Sequence, residues 1–193
     1  MNKEQILILD NYDSFTYNLV YVVKKLTKTS VRVSRNNEIK LSEIEQYNKI
    51  ILSPGPGIPD EANILKPLVK TFASTKNIFG VCLGQQAIGE VFGATLLNTK
   101  KVYHGISSFI KIIDPKEILF HKLPKKIQVG RYHSWIISPD NFPKELKITA
   151  IGDNGEIMAL RHKFYNVRGV QFHPESILTP YGEKIISNWL KIE

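Results

Sequence analysis

Four short apolar runs in the first half of the chain, each followed by a segment of different period, constrain the fold more than any other feature. Ile6-Leu7-Ile8-Leu9 stops at Asp10, and Val31-Arg32-Val33, Lys49 to Ser53 and Asn77 to Cys82 repeat the plan. Runs of this length with β-branched residues read as buried strands. Between them the apolar positions shift to helical spacing. Phe15, Leu19, Val20, Val23 and Leu26 fall on one helical face, with Ser14 as the expected cap. Leu41 to Tyr47 is expected to be helical, with Ser42 as cap and Glu45 completing a capping box. Ala62 to Ala73 and Gln85 to Phe92 are the next two helices. Strands alternating with helices imply a parallel sheet with right-handed crossovers.

After Gly93 the pattern changes. Thr95 to Asn98, Ile106 to Ile113, Ile127 to Val129, Lys147 to Ile151, Glu156 to Arg161 and Val167 to Phe172 read as strands separated by turns. Some of them are expected to form an antiparallel extension. A last helix takes Thr179 as cap and Pro180 at its first position, with Ile185, Ile186, Trp189 and Leu190 on its apolar face. No repeat or linker interrupts the pattern, so residues 1–193 are expected to form one domain. With 42% hydrophobic residues the chain has the apolar content of a globular protein rather than a disordered one. It has one cysteine, which excludes an internal disulfide and any cysteine-based zinc site. The first residues make no signal peptide, and no apolar run approaches the ~20 residues of a membrane helix, so the expected location is the cytoplasm. The net charge is +8, but the basic residues are mostly scattered lysines, with short pairs such as Lys24-Lys25 and Lys100-Lys101. Nucleic-acid binders concentrate arginine and aromatics on one face; a solvated lysine-rich surface is the expectation here, with neither nucleic acid nor membrane as partner.

In a parallel sheet, ligands sit beyond the carboxyl ends of the strands. Three unusual segments are expected there: Asn11 to Phe15, Ser53-Pro54-Gly55-Pro56-Gly57, and Cys82-Leu83-Gly84-Gln85. Gly80-Val81-Cys82-Leu83-Gly84 is the cysteine form of a glycine-flanked nucleophile elbow, a sharp turn that lifts the reactive side chain over a helix N-terminus. The helix dipole there favours a thiolate. Gln171-Phe172-His173-Pro174-Glu175-Ser176 supplies a base and its orienting carboxylate, because residues two apart in an extended segment point the same way. The glycines of the Ser53 to Gly57 loop let backbone N–H groups approach a ligand, and the loop could form one half of an oxyanion hole with the N–H of Leu83 as the other. The remaining histidines, His104, His121, His133 and His162, lack metal-ligand spacing and read as ordinary surface or core residues.

With these pieces in place, the chain resembles the class I, triad-type glutamine amidotransferases over nearly its whole length. The resemblance rests on Asp10 to Leu19, Ser53 to Gly57, Gly80 to Gln86, Arg131-Tyr132-His133-Ser134, and Gly169 to Ser176. Within the family it is most similar to the glutaminase subunits of the chorismate-aminating synthases. The resemblance implies an α/β, flavodoxin-like fold: a mostly parallel sheet with flanking helices and an antiparallel β extension. It implies that Cys82 attacks the amide of L-glutamine, that His173 is base and then acid, and that Glu175 orients it. Gly55 and Leu83 would hold the oxyanion through backbone N–H groups. Gly55, Pro56, Gly57, Gln86, Ser134 and Trp135 would bind glutamine, although Trp135 stands where leucine is commoner. No metal or organic cofactor is implied for this chain, and magnesium would belong to its partner. That partner would be a large chorismate-binding synthase subunit. Anthranilate synthase, in tryptophan biosynthesis, is the first expectation. Aminodeoxychorismate synthase, in folate biosynthesis, or service to both, is the alternative. A stand-alone cysteine hydrolase or an inactive regulatory subunit are more distant readings.

Overall fold

The computed structural model describes residues 5–99 and 102–192. The start of the chain and the Lys100-Lys101 pair lie outside them. Eleven strands and five α-helices are found among the described residues: β1 Gln5–Asp10, α1 Thr16–Leu26, β2 Ser30–Arg35, α2 Leu41–Ile44, β3 Lys49–Leu52, α3 Leu65–Phe72, β4 Asn77–Val81, α4 Leu83–Val91, β5 Leu96–Asn98, β6 Ile106–Ile112, β7 Lys126–Arg131, β8 Trp135–Ile137, β9 Leu146–Gly152, β10 Ile157–His162, β11 Val167–Val170 and α5 Gly182–Leu190. Short 3₁₀ turns occupy Pro59–Glu61 and Ile118–Phe120.

Nine strands form one sheet in the order β2-β1-β3-β4-β11-β10-β9-β6-β7, and β5 pairs with β8. The first five of these neighbours run parallel. The remaining pairs are antiparallel, which is the extension expected from the change of pattern after Gly93. Helices cover both faces of the parallel half. Ile6 and Ile8 of β1 join a core with Val20 and Val23 of α1 and Ile185, Ile186 and Trp189 of α5. Leu7 and Leu9 point the other way, into a core with Leu68 and Val69 of α3 and Ala87 and Ile88 of α4. The alternating side chains of a strand face opposite sides of the sheet, so a strand apolar at every position needs cover on both. No helix among the described residues is long and apolar enough to cross a membrane.

Several local expectations are corrected. Ser14 does not cap α1. Phe15 holds the N-cap position without a side-chain bond, and its N–H is taken by the Asp13 carboxylate at 2.7 Å. Asp10 also accepts from the Thr16 hydroxyl at 2.8 Å. The two aspartates reach the helix entrance first. At α2 the side chain that folds back is Glu43, which accepts the Lys40 N–H at 3.0 Å, in place of Ser42 and Glu45. Thr179 caps nothing in α5, which starts at Gly182 with Tyr181 as N-cap. The strand Trp135–Ile137 was not expected. β11 stops at Val170, which frees Gln171 to His173 to turn into the site.

The register of the parallel strands positions that site. Leu9 pairs with Leu52, Leu52 with Gly80, and Gly80 with Gly169. Two residues beyond this row stand Asn11, Pro54, Cys82 and Gln171, at the carboxyl ends of four neighbouring strands. In the order β2-β1-β3, successive strands depart from β1 in opposite directions, which opens a crevice for a ligand at that end of the sheet.

Candidate active site

Cys82 sits between β4 and α4 with φ 52° and ψ −101°. A left-handed φ at a non-glycine residue is strained and marks sites held in place by their surroundings. The flanking glycines are required by close approach. A Cβ on Gly80 would lie 2.4 Å from the carbonyl carbon of Gly84, and one on Gly84 would lie 2.6 Å from the Leu52 oxygen. The elbow is therefore pressed against both its own helix and β3. Cys82 N–H donates to the Val170 carbonyl at 2.8 Å, which ties the nucleophile's backbone to the strand carrying the base.

His173 Nδ1 donates to Glu175 Oε1 at 2.7 Å, and both side chains are buried. Burial opposes a charge on His173, but the Glu175 carboxylate and Cys82 outweigh it and raise its pKa well above the ordinary histidine value. The other ring nitrogen, Nε2, has no hydrogen-bond partner among the described residues. His173 N–H donates to the Gly130 carbonyl at 3.0 Å. Thr179 supplies a second clamp: its hydroxyl donates to the His173 carbonyl at 2.6 Å and accepts the Gly130 N–H at 2.9 Å. Phe15 and Tyr132 pack their rings against the imidazole at 5.9 and 4.8 Å. Tyr132 also shares a hydrogen bond with Ser176 at 3.0 Å. Asp13, half-buried nearby, has its pKa raised chiefly by desolvation.

The glycine-proline loop is held by a chain of amides. Asn63 donates to Asn36 at 2.9 Å, Asn36 donates to Asn11 at 3.0 Å, and Asn11 donates to the Ser53 carbonyl at 2.9 Å. The Asn11 N–H returns to Ser53 Oγ at 2.8 Å. Gly55 lies so close to Asn11 and Leu83 that any Cβ there would meet them at 2.6 to 2.8 Å. The segment Asn11 to Phe15 is thus structural in two directions, bracing this loop and packing Phe15 on the base.

A pocket of about 200 Å³ opens between these elements, lined by Gly55, Pro56, Gly57, Cys82, Gln86, Ser134 and Trp135 together with His104, Tyr132 and His133. Every residue expected to bind glutamine lies on its wall. His104, left without a role on sequence grounds, is exposed at its rim. His133 is a buried wall residue. Arg131 Nε donates to its Nε2 at 3.2 Å, and burial together with that guanidinium lowers its pKa to about 3. Arg131 in turn pairs with Glu156 at 3.1 Å and lies 3.6 Å over the ring of Tyr103. This supporting group escaped sequence reasoning because its members come from distant segments; Arg131-Tyr132-His133-Ser134 as a motif was the available signal. Among the described residues no group of three or more His, Cys, Asp or Glu side chains could hold a metal ion.

Comparison with known proteins gives the family and the fold. The family model "Glutamine amidotransferase class-I" matches residues 7–192. Anthranilate synthase component 2 of Porphyra purpurea is 47% identical over 188 residues, which are 96% of this chain and 98% of that one. Aminodeoxychorismate/anthranilate synthase component 2 of Bacillus subtilis is 44% identical over 188 residues, 96% of this chain and 95% of that one. The bifunctional protein TrpGD of Thermotoga maritima is 42% identical over 193 residues, and the chain spans 32% of its length. A crystal structure of a glutamine amidotransferase from Thermotoga maritima superposes with a TM-score of 0.77, covering 98% of this chain and 96% of that one at 15% identity, a likeness of fold. By sequence and by fold, the chain belongs to the class-I glutamine amidotransferase family.

Proposed function

We propose that this chain is the glutamine-hydrolysing subunit of a chorismate-aminating synthase, converting L-glutamine and water to glutamate and ammonia. The observation that carries the reading is the strained Cys82 at the wall of the pocket, with the buried His173–Glu175 pair acting on it. The thiol proton passes to His173 Nε2, and the sulfur attacks the side-chain amide carbon of glutamine. The N–H groups of Gly55 and Leu83 receive the oxyanion. The imidazolium, stabilised by Glu175, protonates the departing nitrogen, ammonia leaves, and a thioester remains. Water then attacks the thioester with His173 as base. Glutamate departs and the proton returns to sulfur. Gly55 to Gly57, Gln86, Ser134 and Trp135 bind the amino-acid end of the substrate.

The ammonia goes to a large chorismate-binding subunit, since free ammonia would protonate and diffuse away. No step calls for a metal or cofactor in this chain, which works as a single domain in the cytoplasm, where its thiol stays reduced. Anthranilate is the preferred product because the Porphyra relative is named for that reaction alone. A second reading, aminodeoxychorismate or both products, rests on the Bacillus relative, whose name covers the two. The test is reconstitution with each large subunit and identification of the product. Cys82→Ser should abolish glutamine-dependent amination and spare amination from added ammonium salt. Equal loss of both would make Cys82 structural and refute the reading.

A further inference from the structure

Gln171 is fully buried beside the nucleophile, and the chemistry above gives it no task. Its Nε2 donates to Cys82 Sγ at 3.4 Å. Its Oε1 accepts from Gln86 Nε2 at 3.2 Å. Gln86 Nε2 also donates to the Trp135 carbonyl at 2.9 Å. These three bonds fix the direction of both amides. A backbone carbonyl can only accept, so the Gln86 atom facing Trp135 is its nitrogen. With one of its hydrogens on each acceptor, that nitrogen requires an oxygen from Gln171. The opposite end of the Gln171 amide, the N–H end, must then point at the sulfur.

We propose that Gln171 is a catalytic residue of the glutaminase reaction: it donates a hydrogen bond to the Cys82 thiolate, and Gln86 holds it in the donating orientation from the glutamine pocket. The inference rests on the function proposed above. Two adjacent buried amides are costly unless every group is satisfied, and apolar side chains would fill the same space. Here the arrangement delivers an N–H to the atom that develops negative charge. A donor aimed at an ionised sulfur is stronger than one aimed at a neutral thiol, so it favours the reactive form. The donor is neutral and does not compete with His173 for the thiol proton. Among the described residues, the titratable side chains that share the pocket wall with Cys82 are Tyr103, His104, Tyr132 and His133, and His173 with its partner Glu175 acts on the sulfur from beyond β11. None of them is altered by changing Gln171. Placing Gln86 on both the pocket wall and the relay also links the substrate site to the nucleophile.

The test is iodoacetamide alkylation of Cys82 in the full chain, which needs neither glutamine nor partner. Gln171→Met keeps the length and removes the donor. Alkylation near neutral pH should slow by about tenfold, as expected for the loss of one charge-assisted bond. At a pH high enough to ionise the thiol fully, the rate should match the wild type. Gln86→Met leaves Gln171 in place but unanchored; it should slow neutral-pH alkylation less, and the double variant should be no slower than Gln171→Met alone. If Gln171→Met does not fold, the Gln86→Met rates decide. Unchanged neutral-pH rates, or equal slowing at both pH values, would overturn the relay and leave Gln171 a packing residue. A wild-type chain that alkylates normally but never supports glutamine-dependent amination would instead refute the functional reading.

Discussion

Gly80→Ala asks how closely catalysis depends on the seating of the elbow. The new Cβ would stand 2.4 Å from the carbonyl carbon of Gly84, 2.5 Å from its oxygen and 2.7 Å from the Gln85 nitrogen. Ordinary Cβ contacts begin near 3.4 Å, so about 1 Å must be found. All three obstacles are backbone atoms in the first turn of α4, so no side chain can swing aside. The helix start must retreat from β4 and carry the Leu83 N–H and the Cys82 backbone with it. Overpacking of this kind typically costs about 1–3 kcal/mol. For a chain of this size, at about 2–4 °C per kcal/mol, that lowers Tm by roughly 2–12 °C. A displacement of ~1 Å at the reacting groups is worth on the order of 100-fold in rate. The expected result is a folded variant with modestly reduced Tm and a kcat for glutamine hydrolysis down about 100-fold. Ammonium-dependent amination by the reconstituted complex should be unchanged. Thermal unfolding and steady-state glutaminase assays on the same preparation read both effects. A variant with wild-type Tm and wild-type kcat would refute the argument that the glycine is needed for close approach.

Other outcomes follow from the same geometry. The folded-state pKa of His133, about 3, lies below its ordinary 6.5, so between those values the unfolded chain binds a proton that the folded chain refuses. Stability should therefore fall with pH across that window, by roughly 2 kcal/mol from about pH 7 to about pH 5 on account of this group. Urea denaturation of His133→Gln, which keeps an acceptor for Arg131 and does not titrate, should show a pH-dependent loss smaller by that amount; equal losses would mean that His133 is solvated. Glu175→Gln should reduce glutaminase turnover less than His173→Ala, because an amide still holds the imidazole but cannot stabilise its charge; an unaffected Glu175→Gln would reduce the triad to a Cys–His pair. Asn11→Ala breaks the amide chain behind the glycine-proline loop and strands the Asn36 amide, at a cost of about 1–3 kcal/mol. It should lower glutamine turnover while sparing alkylation of Cys82, and equal loss of both would place its effect on the elbow.

Much of the site was legible in the linear sequence because its demands are local. The turn at Cys82 needs glycine on either side whatever the rest of the chain does, and His173 and Glu175 are coupled by their spacing alone. The strands of the parallel half announced themselves because cover on both faces leaves no room for polar alternation. Where several side chains could serve one purpose, local reasoning failed. Ser14, Ser42 and Thr179 are all good caps in isolation, yet Asp10, Asp13 and Glu43 reach the first two helix entrances first, and Thr179 is drawn off to clamp the base. Trp135–Ile137 is a strand because β5 is there to pair with it, and pairing partners are not written in three residues.

What the sequence by itself determined was the alternation of strands and helices, the elbow and the residues able to do chemistry, since each depends on backbone conformation or side-chain type within a few positions. What the tertiary structure alone decided was which of them meet. The register Leu9–Leu52–Gly80–Gly169 aligns four strand ends, and from it come the bracing of the loop by Asn11, the burial that neutralises His133, and the Gln86–Gln171–Cys82 relay. Hydrogen bonds and electrostatic shifts act over a few ångströms of space. Residues 85 positions apart, as Gln86 and Gln171 are, come within that range only when the sheet closes between them.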